Sequence, residues 1–261
     1  MITRALAQSE ALADALRTRG ASPIVLPLIR IVPIEDYTEL DAALERLRTG
    51  DWIFLTSQNA VSPVVQRGRQ LRSDFFTVTA GFRIAAVGSA TQRAAVDAGL
   101  TVHYVATSHD GVSLANELGE QLPGRRVLLP RSNIAGPELP ESIKRRGAEV
   151  MDVATYHTEL CREHDNELKV LVERREVDAI VCFSPSAVMS LGKALGTAQS
   201  VEAQNSVVFV AIGTVTGWAF DRAELREPLV ASDASVDAVV SVLHGYFANR
   251  VSGPLAGAKK S

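Results

Sequence analysis

Two short polar segments in this 261-residue chain combine side chains that suit the binding of an anion. The first lies within Asp51–Val61, after the apolar run Trp-Ile-Phe-Leu, and the second lies within Asp178–Val188, after Ala-Ile-Val-Cys. Each apolar run is typical of a parallel strand buried on both faces, and the polar residues stand where a helix begins. Hydroxyl groups and free backbone N–H groups at such a point bind carboxylates, although ordinary helix capping is the alternative. The candidate ligands are Thr56, Ser57, Asn59, Ser184 and Ser186.

Arginines, glycines and threonines at neighbouring strand ends extend this predicted site. Arg4 and Arg131 end two predicted strands, and each suits a ligand carboxylate, with a surface ion pair as the alternative. Glycines after two further strands allow a ligand to approach the backbone closely, and a threonine lies on the helical turn after each. Together with adjacent hydroxyl residues, the predicted binding set is completed by Thr3, Arg4, Gly88, Thr91, Arg131, Ser132, Gly213, Thr214 and Thr216.

The elements that must position these residues occur twice in the chain. The first polar segment returns as the second 127 residues later, and the pattern from Arg4 to Ala21 returns as Arg131 to Ala148 at the same offset. Two later elements, Ala86–Thr91 and Val105–Ala106, return after 125 residues. Four elements in the same order at a nearly constant offset indicate an internal duplication.

Each copy alternates strand-like runs with helical runs. This alternation predicts an α/β fold with two doubly wound parallel-sheet domains and a cleft between them. Residues 29–36 and 155–160 fall outside the repeat and have the pattern of extended segments, so we expect them to connect the domains. The pattern is compatible both with copies that fold one after the other and with copies that exchange elements.

Composition narrows the class of protein. With 46% hydrophobic and 22% charged residues, the chain has the composition of a soluble globular protein, and its formal charge of −3 argues against nucleic acid as a partner. Apolar runs stay short of the ~20 residues of a membrane span, and no signal-peptide pattern opens the chain, which predicts a cytoplasmic protein. The small and polar residues 252–261 are expected to be a disordered tail.

Metal and cofactor motifs are missing from the sequence. The histidines show no ligand spacing, and the two cysteines are expected to be reduced thiols. We also find no G-x-G-x-x-G after a strand, no Walker A sequence, no H-E-x-x-H and no Ser/His/Asp signature. The sequence therefore predicts neither a metal nor a cofactor.

Several loose motifs follow one another in a specific order and spacing. They are Thr3-Arg4, Thr56 to Val61, Ala86 to Thr91, Leu128 to Arg131 before Leu139 to Glu141, Arg146 to Val150, Tyr156, and Phe183 to Ser186. Together they resemble the uroporphyrinogen-III synthase family, and the resemblance runs from about Ile2 to Leu243. It implies an exchanged repeat, with one domain of residues 1–31 and 161–261, a second of residues 37–153, and connectors at 32–36 and 154–160.

The resemblance also implies a reaction. The family cyclises hydroxymethylbilane, a linear tetrapyrrole with eight carboxylates, to uroporphyrinogen III with loss of water and inversion of the last pyrrole through a spirocyclic intermediate. The substrate's own pyrroles supply the nucleophile and the electron push, so no cofactor is implied. The family's proposed proton donor to the departing hydroxyl falls on Tyr156, and a tyrosine packed at a domain junction is the alternative. A monomer that receives its substrate from the preceding pathway enzyme is expected.

Two other functions fit parts of the pattern. A non-catalytic two-lobed binding protein of the periplasmic type would also hold a small anion in a cleft. Such a protein is exported, so the missing signal peptide counts against it. A nucleotide-dependent enzyme on a doubly wound sheet is disfavoured by the absent phosphate loops. The isomer of uroporphyrinogen formed from hydroxymethylbilane distinguishes the cyclising enzyme from both alternatives.

Overall fold

The computed structural model describes residues 1–71, 75–76, 81–108, 110–196, 206–233 and 235–251, and these divide into two compact units. The terminal unit consists of Met1–Ile29 and Leu160–Ser261, and the central unit consists of Arg30–Glu159. The predicted disordered tail at 252–261 lies outside the described residues. No helix in the described part of the chain is long and apolar enough to cross a membrane.

The central unit is built around a six-stranded sheet with the strand order β1-β6-β5-β2-β3-β4. The four strands from β6 to β3 are parallel neighbours, and β4 continues the parallel set. Its elements are β1 (Ile29–Pro33), α2 (Thr38–Arg46), β2 (Trp52–Leu55), α3 (Val61–Leu71), β3 (Arg83–Ala86), α4 (Gly88–Asp97), β4 (Tyr104–Val105), α5 (Gly111–Glu117), β5 (Arg126–Ser132), α6 (Glu138–Arg145) and β6 (Glu149–Leu160).

Strand β2 lies inside this unit because all four of its side chains are buried. Successive side chains of a strand point to opposite faces, so β2 contributes to two cores. Ile53 and Leu55 pack in a core with residues of α2 and α3, whereas Trp52 and Phe54 pack in a second core with residues of α5 and α6. Helices on both faces therefore bury the sheet, as the apolar runs predict.

The terminal unit holds a three-stranded parallel sheet with the order β7-β8-β9. Ile2 extends this sheet, because it bridges in parallel to Val181 of β7 on one side and to Val25 on the other. Beside Ile2 and Thr3, the backbone N–H groups of Leu26 and Leu28 donate to the carbonyls of these two residues at 2.9 and 3.2 Å. The elements are α1 (Leu6–Arg17), α7 (Asp165–Glu173), β7 (Ala179–Cys182), α8 (Pro185–Leu195), β8 (Val208–Ala211), α9 (Thr214–Arg222), β9 (Leu229–Val230) and α10 (Val236–Val251).

The two units share their strand order. In the central unit Leu129 of β5 pairs with Asp152, and in the terminal unit Ile2 pairs with Val25, both shifted by the 127 residues of the sequence repeat. Strands β7, β8 and β9 likewise follow one another as β2, β3 and β4 do. The α/β class and the parallel sheets are confirmed. The internal duplication stays an interpretation, which this common register supports.

The two predicted connectors belong to extended strands. Strand β1 holds Ile29–Pro33, β6 continues to Leu160, and the two strands are neighbours in the six-stranded sheet. Arg30 donates hydrogen bonds from Nε and Nη2 to Oε2 of Glu159, at 3.3 and 3.0 Å. The extended conformation agrees with the sequence pattern, while the role of these segments as connectors stays a prediction.

Candidate functional site

In the central unit, most of the predicted binding residues follow the carboxyl ends of three neighbouring parallel strands. Strand β2 is hydrogen-bonded to β3 on one side and to β5 on the other. Parallel strands bring their carboxyl ends to one edge, which is where open α/β sheets hold ligands. The residues after these strand ends are Thr56, Ser57 and Asn59 after β2, Gly88 and Thr91 after β3, and Arg131 and Ser132 at the end of β5.

A β-bulge brings Tyr156 to this edge. Arg131 pairs with Ala154 and Ser132 pairs with Tyr156, so Thr155 is an extra residue on β6. A bulge of this kind changes the face to which the following side chains point. Tyr156 consequently packs in the same core as Met151 and is only 7% exposed. Strict alternation alone would have placed these two side chains on opposite faces of β6.

Ser57 is the side chain that interacts with the Tyr156 hydroxyl as a hydrogen-bonding group and lowers the pKa of the phenol. Ser57 in turn accepts a hydrogen bond from the backbone N–H of Asn59 at 3.2 Å, as the N-cap of the short 3-10 helix Gln58–Ala60. A serine hydroxyl that accepts one hydrogen bond keeps its own proton and a second lone pair for another partner, so Ser57 can interact with the phenol while it caps the turn. Three residues predicted separately from the sequence, Asn59, Ser57 and Tyr156, therefore interact at this edge of the sheet.

Two opposing effects act on the pKa of Tyr156. Burial raises it, because a phenolate loses its hydration, while the Ser57 hydrogen bond and the positive charge of Arg131 lower it. Burial is the largest effect, so the pKa lies above the ordinary value and the phenol carries its proton at neutral pH. The nearby cation stabilises the phenolate that forms if the proton leaves.

Thr155 is buried beside Tyr156 without a partner for its hydroxyl. The side chain is 0% exposed, and within the described residues its Oγ1 makes no hydrogen bond. A buried hydroxyl in this state costs about 1–3 kcal/mol relative to a satisfied one. It lies at the bulge, where the ladder between β5 and β6 is interrupted.

Arg131 is fixed by an ion pair inside the central unit. Its Nε and Nη2 donate to the two carboxylate oxygens of Asp152 at 2.6 and 2.5 Å, and its Nη1 donates to the carbonyl of Gly136 at 2.5 Å. The guanidinium side chain is 11% exposed. All three nitrogens of the guanidinium donate to groups of the protein. Arg131 therefore contributes its positive charge to the candidate site and links β5 to β6.

Three further predicted residues of the central unit are Ser132, Gly88 and Thr91. Ser132 shares a hydrogen bond of 2.8 Å with the hydroxyl of Thr158 on β6, and its Oγ also accepts from the N–H of Ile134 at 3.4 Å. Gly88 adopts a φ of +77°, a left-handed conformation that favours glycine, where β3 meets α4. Thr91 is buried on the first turn of α4.

The terminal unit presents a second set at its own strand ends. Ser184 is the N-cap of α8 and accepts from the N–H of Ala187 at 3.2 Å, as Ser57 caps the equivalent turn, and Ser186 is half-buried on the first turn. Thr3 is 1% exposed, and its hydroxyl donates to the carbonyl of Val181 at 2.8 Å, which ties it into the sheet.

Three residues of the terminal-unit set follow β8. Gly213 has an extended φ of 168°, and a Cβ added there would meet no atom within 4 Å in the described chain. Thr214 is exposed at the start of α9, whereas Thr216 is buried. Gly213 therefore differs from its repeat partner Gly88, because the backbone conformation at 213 does not itself require glycine.

Arg4 is held in the terminal unit without a carboxylate. Its Nε donates to Oε1 of Gln8 at 2.7 Å, and its guanidinium lies over the ring of Phe183 at 5.2 Å from the centroid. Burial lowers its pKa from the usual value. No ion pair involving Arg4 occurs in the described part of the chain.

Sequence reasoning missed the residues that hold the predicted groups in place. These are Asp152, Thr155, Thr158, Gln8 and Phe183. The sequence does carry a signal for Asp152. An offset of 127 residues places this carboxylate in the second copy where the first copy has Val25, so only Arg131 has an acidic residue at that position of the repeat. In the described ranges no cluster of three or more His, Cys, Asp or Glu side chains has the geometry to hold a metal ion.

The comparisons with known sequences agree on one family. A sequence model described as uroporphyrinogen-III synthase HemD matches residues 10–241. The porphyrin biosynthesis protein HemD of Ruminiclostridium josui is 27% identical over 93% of this chain, which spans about half of that relative (47%). The uroporphyrinogen-III synthase of Synechococcus elongatus is 26% identical over 82% of this chain and 81% of its own length.

A solved structure has the same fold. The crystal structure of a mutant uroporphyrinogen III synthase from the extremely thermophilic bacterium Thermus thermophilus superposes with a TM-score of 0.70 at 22% identity, and the match covers 96% of this chain and 97% of that one. At this identity the likeness concerns the arrangement of strands and helices.

Proposed function

This chain belongs to the uroporphyrinogen-III synthase family, and we propose that it cyclises hydroxymethylbilane to uroporphyrinogen III. The observation that carries the proposal is the family match over residues 10–241. The position of Tyr156 opposite Ser132, with Ser57 acting on its hydroxyl, supports it, because a protonated phenol lies at the edge of a parallel sheet. The enzyme is a cyclising lyase in which the substrate supplies its own nucleophile.

In the proposed mechanism Tyr156 donates a hydrogen bond, and then its proton, to the departing hydroxyl of the substrate. Loss of water leaves an electron-poor azafulvene on the first ring, and the last ring attacks it through its already substituted α-carbon. The resulting spirocycle breaks the bond from that carbon to its bridging carbon, which closes again on the free α-carbon. The proton lost from that free α-carbon restores the phenol, so the protons balance.

Binding supplies the rest of the catalysis. The substrate closes without inversion in free solution, so the protein must hold one conformation in which the substituted carbon is the one that attacks. We propose that the substrate carboxylates bind the polar strand ends of both units. The proposed contacts are Thr56, Ser57, Asn59, Gly88, Thr91 and Ser132 in the central unit, where Arg131 adds its positive charge, and Thr3, Arg4, Ser184, Ser186, Gly213, Thr214 and Thr216 in the terminal unit.

The proposed organisation completes this account. We propose domains of residues 1–31 with 161–261 and of residues 37–153, with connectors at 32–36 and 154–160. A cytoplasmic monomer that takes its substrate from the preceding pathway enzyme fits a short-lived linear tetrapyrrole, which would otherwise close unaided.

The test is the isomer formed by the purified protein. Hydroxymethylbilane is added to the protein and to a heat-inactivated sample, and the oxidised products are separated into isomers I and III. The proposal predicts isomer III at a rate proportional to protein concentration. Isomer I alone, formed at the rate of the inactivated sample, would overturn it.

A further inference from the structure

The two arginines that the repeat makes equivalent have different surroundings. Around Arg131 lie Asp152 and the Gly136 carbonyl. Around Arg4 the corresponding contacts are made by an amide from Gln8 and by the ring of Phe183. An offset of 127 residues places Val25 at the position of Asp152. The carboxylate that neutralises the central-unit arginine is therefore replaced by an apolar side chain in the terminal unit.

The geometry around Arg4 orients the guanidinium and leaves part of it available. Gln8 takes the Nε–H at 2.7 Å, and the face of the guanidinium lies over Phe183. Neither contact uses the two Nη atoms, which form the end of the fork that binds a carboxylate with two parallel hydrogen bonds. A cation held over an aromatic ring keeps its charge while its motion is restricted.

The cost of this arrangement favours an anionic ligand. The guanidinium is partly buried, its pKa is lowered by burial, and no carboxylate of the described chain compensates for the lost hydration. A ligand carboxylate would supply the missing charge, and arginine presents the planar geometry for it. In the central unit Asp152 already supplies this negative charge, with its carboxylate oxygens at 2.6 and 2.5 Å from Nε and Nη2 of Arg131.

We propose that Arg4 is the arginine that binds a carboxylate side chain of the substrate, that Gln8 and Phe183 are its positioning residues, and that Arg131 has given up direct binding for its ion pair with Asp152. This inference rests on the proposed function, because that function supplies a substrate with eight carboxylates. It separates two residues that the sequence treats as equivalent. It also predicts that the contribution of Arg4 appears in binding and leaves the choice of isomer unchanged.

The test compares Arg4→Gln with Arg17→Gln, which removes the same charge from the exposed ion pair with Asp14 farther along α1. Arg4→Gln is expected to raise KM for hydroxymethylbilane about 10- to 100-fold, because a charge-assisted hydrogen-bond pair is lost. Its kcat should stay within about twofold and its product should remain isomer III. Arg17→Gln should keep the wild-type KM. The dependence of kcat/KM on salt should be weaker for Arg4→Gln than for either other protein.

Two further variants keep the inference falsifiable if Arg4→Gln folds poorly. Arg4→Lys retains the charge without the fork and should raise KM several-fold, and Gln8→Ala should raise KM by a smaller factor with kcat unchanged. Wild-type KM in Arg4→Lys and Gln8→Ala, while the wild-type protein forms isomer III, would overturn this inference and leave the proposed function intact. Wild-type protein that forms only isomer I would instead overturn the proposed function.

Discussion

Replacing Tyr156 by phenylalanine removes one oxygen and leaves the ring in place. The ring packs in the core formed with β2, α2 and α3 and is only 7% exposed, so phenylalanine fills the same space. The change deletes the oxygen that interacts with Ser57 and, in our mechanism, the proton for the departing hydroxyl. It therefore tests the proton donor with little disturbance of packing.

The expected effects on stability and on rate differ in size. Loss of a neutral hydrogen bond costs about 0.5–1.5 kcal/mol of unfolding free energy. For a chain of this length, that is a fall of about 1–6 °C in Tm. Loss of general-acid assistance should lower kcat by about 10- to 1000-fold, which is about 1.4–4 kcal/mol of transition-state stabilisation. A structural role alone would give the first effect without the second.

The assay measures kcat for isomer III together with thermal unfolding of the same samples. Tyr104→Phe is the matched control, because it removes the same atom from the same unit, where the Tyr104 hydroxyl donates to Glu117 at 3.0 Å. We expect the control to lose stability and to keep its turnover. Wild-type turnover in Tyr156→Phe would refute the reasoning and return Tyr156 to a packing role.

The remaining predictions concern the residues around the site. Thr155→Val should raise the unfolding free energy by about 1 kcal/mol in urea titrations, because it removes a buried hydroxyl without a partner; a loss of stability would show that the hydroxyl is bonded in solution. Asp152→Asn should lower it by about 2–3 kcal/mol, since Arg131 keeps a largely buried charge, and a loss below 1 kcal/mol would contradict a strong ion pair. Burial raises the pKa of Cys182 from 9.0 to about 12, so its alkylation in the native protein should stay slow from pH 7 to 9, whereas the unfolded chain reacts faster with each step in pH; native labelling that follows the unfolded chain would contradict this.

The sequence was sufficient for the strands and for the sheet edge at which the polar residues of the candidate site lie. Buried parallel strands show as apolar runs, and helix starts show as hydroxyl residues, so β2 with Ser57 and β7 with Ser184 could be located from local pattern. The α/β class and its parallel sheets follow from the same signals. The hydroxyl of Ser57 shows that a capping group can also act on a second partner, because it accepts from Asn59 and lowers the pKa of Tyr156.

The details that the sequence did not predict depend on pairing between distant segments. A bulge arises from the register of two strands, so alternation along β6 alone could not show that Thr155 is the extra residue. The fate of Arg131 depends on the parallel pairing that brings Asp152 beside it, a contact across 21 residues. Local pattern gives Arg4 and Arg131 the same role, and only their neighbours distinguish them.

The central claim is that this chain inverts the last pyrrole of its substrate, and carbon connectivity tests it most directly. Hydroxymethylbilane carries ¹³C at the bridging carbon before the last ring and at the ring carbon bonded to it, and the product is examined by NMR. Our account predicts that the one-bond coupling between the two labels disappears, because the spirocycle breaks that bond before the ring closes. A product that retains the coupling would have closed without inversion, and the account would be wrong.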